Sequence, residues 1–235
     1  MTQRPLYYIN DGHRHDTARL WAVQMAKHFG YEARELAVQT APTSDAEHIE
    51  AWSELAAFTE KQDASMLVFE LTNNHDIQPM LNHCRQLRIP YLAVRAGMAV
   101  NLDSIALPVT FLMEEKEKGL FASAFGRFFQ SKICIFAPKD YGSKARQNIN
   151  AISSLFDSFN LNYHEVMGHK DSNGVEMEAT LAAPLQGCGM TIITASRDYG
   201  LDDLLFGCKE RHILKRAQIP VLLINPRNDL YALCD

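Results

Sequence analysis

The residue types best suited to chemistry cluster just after the first apolar run of the chain. The stretch Asp11-Gly12-His13-Arg14-His15-Asp16 places two histidines and two carboxylates within six positions. A metal site would need three or four convergent ligands, and His75 could add one from a later loop. Asp16 is equally well explained as a helix N-cap, however, and histidines in loops are usually solvated. We therefore predict a solvated loop here and no metal site.

Motifs of enzyme catalysis are missing from the sequence. It has no recognisable Ser-His-Asp arrangement, no G-x-S-x-G, no Walker loop and no H-E-x-x-H. We therefore predict no catalytic residue. The five cysteines are widely spaced and form no C-x-x-C, at Cys84, Cys134, Cys188, Cys208 and Cys234. An odd number of such cysteines predicts reduced thiols in a cytosol rather than a disulfide framework or a zinc site.

The elements that position these residues alternate between strand and helix along the whole chain. Segments predicted to be strands, most of them apolar, lie at 6–9, 32–38, 65–71, 89–94, 105–109, 132–137, 162–166, 190–195 and 219–224. Amphipathic segments typical of helices lie between them at 16–29, 44–58, 77–87, 115–129, 143–159, 175–185 and 201–217, with Ser44 and Asp45 as caps of the second. Such alternation indicates parallel sheets covered by helices on both faces. We predict a doubly wound α/β fold with five strands and four helices in each half, which is one strand and one helix more than the segments above give for the first half.

The two halves of the chain read as tandem repeats. Residues 88–94, RIPYLAV, correspond to residues 218–224, QIPVLLI. Between the last two strands the first copy is six residues shorter, since Met66 and Pro90 are 24 positions apart and Met190 and Pro220 are 30 apart. We predict one repeat at 1–96, a linker at 97–103 and a second repeat at 104–235.

Composition and charge describe an ordinary globular protein. Hydrophobic residues make up 47% of the chain and charged residues 22%, with a net charge of -5. A negative balance without runs of lysine or arginine argues against a nucleic-acid partner. The longest apolar runs fall far short of the roughly 20 residues of a spanning helix, and the first residues do not read as a secretory leader. We expect a cytoplasmic protein without membrane insertion.

The second half of the chain resembles a universal stress protein domain. Three stretches carry the resemblance, to the family's first strand, its last glycine loop and its closing strand: Leu107-Pro108-Val109-Thr110, Gly207-Cys208-Lys209-Glu210 and Pro220-Val221-Leu222-Leu223-Ile224. The resemblance implies two five-stranded parallel sheets of the adenine nucleotide alpha hydrolase-like type, each in the order 3-2-1-4-5, packed as a pseudo-dimer through their last strands. An unrelated flavodoxin-like domain is the alternative.

The nucleotide loop of this family is largely eroded here. Binding members carry a loop similar to Gly-x-x-Gly, nine residues and Gly-Ser or Gly-Thr, in which glycines let backbone N–H groups approach the phosphates. Counted back from Gly207, Thr194 and Arg197 replace the leading glycines, and Cys208 replaces the hydroxyl residue. Thr110 replaces the strand-one aspartate. The resemblance therefore implies a degenerate ligand pocket with weak or absent binding of ATP or an AMP-like nucleotide, at Asp11, Gly12, Thr110, Pro138, Thr194, Ala195, Ser196, Arg197, Gly207 and Cys208.

The first half keeps the strand-one aspartate as Asp11 but has lost the phosphate loop with the six missing residues. Glu70, Asn73 and Asn74 stand where the resemblance places glycines, and a carboxylate there repels phosphate. We predict that this half binds no nucleoside triphosphate, and an adenosine-like ligand stays open.

Charged and aromatic patterns near the helices have structural interpretations. The run Glu114-Glu115-Lys116-Glu117-Lys118 is typical of a helix start, with an i,i+4 pair between Glu114 and Lys118. Four phenylalanines at helical spacing favour a buried face over a partner-binding one, at Phe121, Phe125, Phe128 and Phe129. Cys208 begins the last helix beside basic residues, so we expect it to be the most reactive cysteine if its sulfur reaches solvent.

The resemblance implies a non-catalytic stress-response or signalling module. The ligand of such a module would be a small molecule, and the sequence does not identify a protein partner. The module would work as a monomeric pseudo-dimer or as a homodimer. One alternative is a weak ATPase or nucleotide-using transferase, which would need the phosphate loop that the chain has mostly lost. Another is a soluble regulatory domain of a cation/proton antiporter or a sensor kinase, since similar domains occur in such proteins.

Overall fold

The computed structural model describes residues 3–13, 15–40, 46–139, 143–196 and 208–226. The chain forms two compact units that are not continuous in sequence. The first contains Met1–Val100 and Ser196–Lys215, and the second contains Asn101–Ala195 and Arg216–Asp235. The chain therefore contributes a late segment to the first unit before it returns to the second. The repeat boundaries at 1–96 and 104–235 concern sequence correspondence and stay a prediction.

The first unit is a five-stranded parallel sheet with its helices. Its strands are β1 (Pro5–Asn10), β2 (Glu32–Val38), β3 (Glu47–Ile49), β4 (Met66–Leu71) and β5 (Tyr91–Arg95). Its helices from the amino-terminal segment are α1 (Asp16–Phe29), α2 (Leu55–Lys61) and α3 (Ile77–Cys84), with a 3-10 turn at Trp52–Glu54 before α2. The strands lie in the order β3-β2-β1-β4-β5, and all the pairs are parallel.

The second unit repeats this arrangement. Its strands are β6 (Ser104–Pro108), β7 (Lys132–Ala137), β8 (Tyr163–Met167), β9 (Met190–Thr194) and β10 (Val221–Ile224), in the parallel order β8-β7-β6-β9-β10. Its helices are α4 (Glu115–Phe128), α5 (Ser143–Ser158) and α6 (Val175–Ala182), and a 3-10 turn follows at Ala183–Gln186. The next described helix, α7 (Lys209–Arg216), belongs to the first unit as far as Lys215. Each sheet has the order 3-2-1-4-5, so the doubly wound α/β prediction is confirmed.

The single helix predicted at 44–58 is wrong. The described part of this segment forms β3, then the 3-10 turn, and becomes helical at Leu55; the predicted caps Ser44 and Asp45 lie outside the described residues. Glu47 of β3 accepts hydrogen bonds from the Tyr7 hydroxyl (2.8 Å) and from Arg34 Nη1 (2.9 Å). β3 has only three residues, and polar side chains fix it to its neighbours. It therefore has no apolar run from which the sequence could have predicted a strand.

The ends of α1 confirm one prediction and correct another. The helix ends at Phe29, as the predicted range 16–29 has it, and Gly30 follows with a φ of 70° and its N–H donating to the Ala26 carbonyl. His15, however, holds the N-cap position without a side-chain hydrogen bond to the helix, and Asp16 is the first helical residue. The free N–H groups of this helix start are bound by a carboxylate from β4 instead, as described below.

The aromatic stripe on α4 is only partly core. Phe125 is buried, Phe128 is 49% exposed, and Phe121 and Phe129 are partly buried. The guanidinium of Arg127 lies over the exposed Phe128 ring, 5.6 Å from its centroid. The predicted buried face is therefore correct for Phe125 and wrong for Phe128. Among the helices in the described ranges, none combines the length and apolar character needed to cross a bilayer.

Candidate functional site

Four of the predicted pocket residues lie at the carboxyl edge of the second-unit sheet. Thr110 and Pro138 follow β6 and β7, Thr194 ends β9, and Ala195 comes next. Because these three strands are adjacent and parallel, their carboxyl ends share the edge where open α/β sheets bind ligands. Of the other predicted residues, Ser196 and Cys208 belong to the first unit, and Arg197 and Gly207 lie outside the described residues. That this edge is a ligand pocket stays a prediction.

A buried ion cluster of Glu115, Lys118 and Glu176 occupies this edge of the second unit. The Nζ atom of Lys118 lies 2.7 Å from Glu115 Oε2 and 3.3 Å from Glu176 Oε1. The carboxylates also bind the strand ends: Glu115 Oε2 accepts from the N–H of Thr110 (2.8 Å), and Glu176 Oε1 accepts from the N–H of Thr194 (3.1 Å). The Thr194 hydroxyl donates to Glu115 Oε1 (3.0 Å). All three charged side chains are buried.

Burial makes the partners of this cluster energetically important. A charge removed from water costs several kcal/mol unless opposite charges and hydrogen bonds compensate it. Lys118 meets this condition, since it also donates to the Pro108 carbonyl (2.6 Å). Both carboxylates contact this ammonium, and the N–H and hydroxyl donors of the strand ends also stabilise their negative charge. Among the described residues, the N–H groups of Thr110 and Thr194 at this edge are therefore already bound to protein carboxylates.

The sequence patterns do not reveal this cluster. The structure pairs Lys118 with Glu115, at i,i+3, where the sequence suggested Glu114. Glu176 comes from α6, and nothing in its neighbourhood along the chain marks it. The sequence held one clue, which is the position of Glu115 and Lys118 at the start of the helix that follows β6. This helix start lies beside the predicted site, where charged side chains can be buried instead of facing solvent.

Cys208 precedes α7 in the first unit, and its side chain is only 1% exposed. Nearby, Glu210 Oε1 accepts hydrogen bonds from the N–H (2.6 Å) and the hydroxyl (2.7 Å) of Ser196. We expected Cys208 to be reactive only if its sulfur reaches solvent. Because the side chain is buried, this condition is not met. Cys84, Cys134 and Cys188 are buried as well, and Cys234 lies outside the described residues.

Glu70 holds the amino terminus of α1 in the first unit. Its Oε2 atom accepts hydrogen bonds from the N–H groups of Thr17 (2.7 Å) and Ala18 (3.1 Å). It thereby does what a cap residue does, satisfying free N–H groups and placing negative charge at the positive end of the helix dipole. A phosphate at this helix end would have to displace a protein carboxylate, which is a stronger obstacle than the repulsion inferred from the sequence.

The loop after β1 is a turn that its own side chains stabilise. Asn10 Oδ1 accepts from the N–H of Gly12 (3.0 Å), and Asp11 Oδ1 accepts from the N–H of His13 (3.2 Å). Gly12 has a φ of 86°, a conformation that favours glycine. Within the part of the chain that the structure describes, no group of three or more His, Cys, Asp or Glu side chains could hold a metal ion.

A cavity of about 210 Å³, here called the Trp52 cavity, lies at the carboxyl ends of β1 and β4 in the first unit. Trp52 stacks on His83 with ring centroids 4.8 Å apart and planes 9° apart, and the Phe69 centroid is 6.3 Å from that of Trp52. Burial lowers the pKa of His83, which favours its neutral form. The described residues that line the cavity are Asp11, His13, Trp52, Phe69, Glu70, Leu71, Asp76, Pro79, Met80 and His83.

The fold matches solved structures of universal stress proteins. One from Archaeoglobus fulgidus DSM 4304 has a TM-score of 0.72 and 11% sequence identity, with 97% of this chain and 98% of that chain covered. A protein described as a universal stress protein from Pseudomonas aeruginosa UCBPP-PA14 has a TM-score of 0.65 and 10% identity, with 98% and 96% covered. A functionally unknown protein from Pseudomonas aeruginosa PAO1 has a TM-score of 0.64 and 12% identity, with 98% and 95% covered. No protein-family model and no curated protein matches the sequence significantly. The chain therefore has the universal stress protein fold that the resemblance implied.

Proposed function

We propose that the chain is a non-catalytic, cytoplasmic stress-response or signalling module that binds ATP weakly or not at all. The buried ion cluster is the observation that carries this proposal. At the edge where the fold would bind a nucleotide, Glu115 and Glu176 already accept the N–H groups of Thr110 and Thr194. A phosphate would have to displace these carboxylates and then share the site with their negative charge.

Titration calorimetry with ATP and magnesium tests the proposal directly. We expect a dissociation constant weaker than about 100 μM, which corresponds to less than ~5.5 kcal/mol of binding free energy. A low-micromolar dissociation constant for the unaltered chain would overturn the proposal.

Two sets of substitutions separate the ion cluster from the missing glycines. Thr194→Gly with Arg197→Gly restores the two leading glycine positions but leaves Glu115 and Glu176 in place, so we expect little gain in ATP affinity. Adding Glu115→Ala, Lys118→Ala and Glu176→Ala to that pair frees the donors at the strand ends, and affinity should then rise. If the two glycine substitutions alone give low-micromolar ATP binding, then crowding of the loop backbone, and not the ion cluster, prevents ATP from binding.

A further inference from the structure

The Trp52 cavity has a negatively charged lining. Three carboxylates line it, Asp11, Glu70 and Asp76, and its described lining includes two histidines but neither lysine nor arginine. Asp76 Oδ2 accepts hydrogen bonds from the N–H groups of Thr72 (2.9 Å) and Asn73 (2.8 Å). Glu70 accepts two such bonds at the start of α1. A ligand of this cavity must therefore tolerate or balance several negative charges.

The second carboxylate oxygen of Glu70 has no partner in the described part of the chain. Its Oε2 atom is bound to the α1 N–H groups, whereas Oε1 is shielded from solvent and accepts no hydrogen bond there. Buried polar atoms are nearly always satisfied, so an orphaned oxygen of this kind calls for an explanation. A positive charge in the adjoining cavity would balance it, because electrostatic attraction is strong where water is excluded.

The aromatic wall of the cavity suits the same kind of ligand. Trp52 is partly exposed and lines the cavity, with its ring stacked on His83. Tryptophan is the aromatic residue that attracts cations most strongly across any part of its face that is left open. Because burial lowers the pKa of His83, its neutral imidazole does not repel a cation at neutral pH. Phe69 and Met80 add apolar surface for the uncharged part of a ligand.

The size of the cavity limits the ligand. Its volume of about 210 Å³ is below the roughly 300–1,000 Å³ of typical drug-sized sites. The three carboxylates also disfavour a nucleotide, whose phosphates carry the same sign of charge. We propose that the Trp52 cavity binds a small organic cation, a protonated amine on a single-ring or similarly compact apolar body. This binding is independent of whether the second unit binds ATP.

A series of three ligands of one shape tests the charge requirement on the unaltered chain. Benzylamine, benzyl alcohol and benzoate share a ring and differ in charge, and calorimetry at neutral pH compares them at equal ionic strength. We expect benzylamine to bind saturably, benzyl alcohol to bind about tenfold more weakly, and benzoate not to bind. The proposal is overturned if benzylamine fails to bind at about 10 mM, or if either of the other two binds equally well.

Two substitutions locate the binding site. Glu70→Gln keeps an oxygen that can accept the α1 N–H groups and removes the charge, and Trp52→Leu removes the aromatic face. We expect each to weaken benzylamine binding about tenfold, while Glu60→Gln, at an exposed glutamate of α2, leaves it unchanged. Unaltered affinity in the folded Glu70→Gln or Trp52→Leu protein places the ligand elsewhere and refutes the assignment. If Glu70→Gln does not fold, Trp52→Leu and the ligand series decide. A parallel ATP titration keeps the outcome distinct from that of the proposed function.

Discussion

Removing Lys118 tests the charge balance of the buried ion cluster. In Lys118→Met an apolar side chain of similar length replaces the ammonium, and Glu115 and Glu176, which are 0% and 3% exposed, lose their cation. Removing one partner from a buried ion pair typically costs about 3–5 kcal/mol. The carboxylates keep the hydrogen bonds from Thr110 and Thr194, so we expect the lower end of that range, a loss of about 3 kcal/mol in the free energy of unfolding.

Urea denaturation followed by circular dichroism at neutral pH measures this loss. Lys116→Met alters an exposed lysine two positions earlier and should change the free energy of unfolding by no more than about 0.5 kcal/mol. Combining Lys118→Met with Glu115→Gln and Glu176→Gln retains acceptor oxygens for the strand ends and removes every charge, so it should recover most of the stability. The reasoning is refuted if Lys118→Met costs less than about 1 kcal/mol, or if the triple variant is less stable than the single one.

Three further predictions follow from particular positions in the structure. In Gly189→Ala the new Cβ would overlap the carbonyl oxygen of Asn101, so thermal melts should show a loss of about 1–3 kcal/mol; an unchanged melting temperature would contradict this close approach. Cys208 should react with limiting iodoacetamide only after unfolding, because its side chain is buried. If peptide-resolved labelling finds that Cys208 reacts as fast in the native protein as in the unfolded protein, its sulfur is accessible to solvent and the prediction is wrong. Burial lowers the pKa of His83 in the folded state, so the unfolded state takes up the proton first and the free energy of unfolding should fall as the pH drops below about 6.5. Urea midpoints should show a shallower pH dependence in His83→Gln than in the parent, and an identical slope would exclude His83 as its source.

The strands that the sequence located best are those with continuous apolar runs. The prediction at 132–137 coincides with β7, whose residues after Lys132 are all apolar and buried and therefore leave an unbroken signal. The prediction at 32–38 also coincides with β2, although three charged residues interrupt that strand and only its last three residues are buried. The short β3 was missed, since Glu47 and His48 contribute no apolar pattern and the strand is held by side chains from β1 and β2. Helix ends set by local chemistry, such as Gly30, were found, whereas the cap that Glu70 provides comes from another strand.

The candidate sites show the same division between local and distant information. The resemblance placed Thr110 and Thr194 at the edge of a sheet, and the structure puts them there. It could not show that Glu176 would reach Lys118 across 58 positions of sequence, or that Glu70 would reach Thr17 across 53. Trp52 was assigned to a helix interior by its periodicity, and only the fold places its ring against His83. Single-sequence patterns report neighbours along the chain, and these sites are built from residues that are distant along it.

The membership of α7 in the first unit has a consequence for synthesis on the ribosome. Ile213 and Leu214 of this helix are buried, and Leu214 accepts a hydrogen bond at its carbonyl oxygen from Arg95 at the end of β5 (3.1 Å). Domains usually fold in the order in which they are translated, the amino-terminal one first. Here the amino-terminal unit lacks a buried helix until residue 215 has emerged. The first unit therefore cannot finish folding before most of the second unit has been synthesised, and a nascent chain stopped at residue 100 would leave the apolar surface that receives α7 open to chaperones or to other chains.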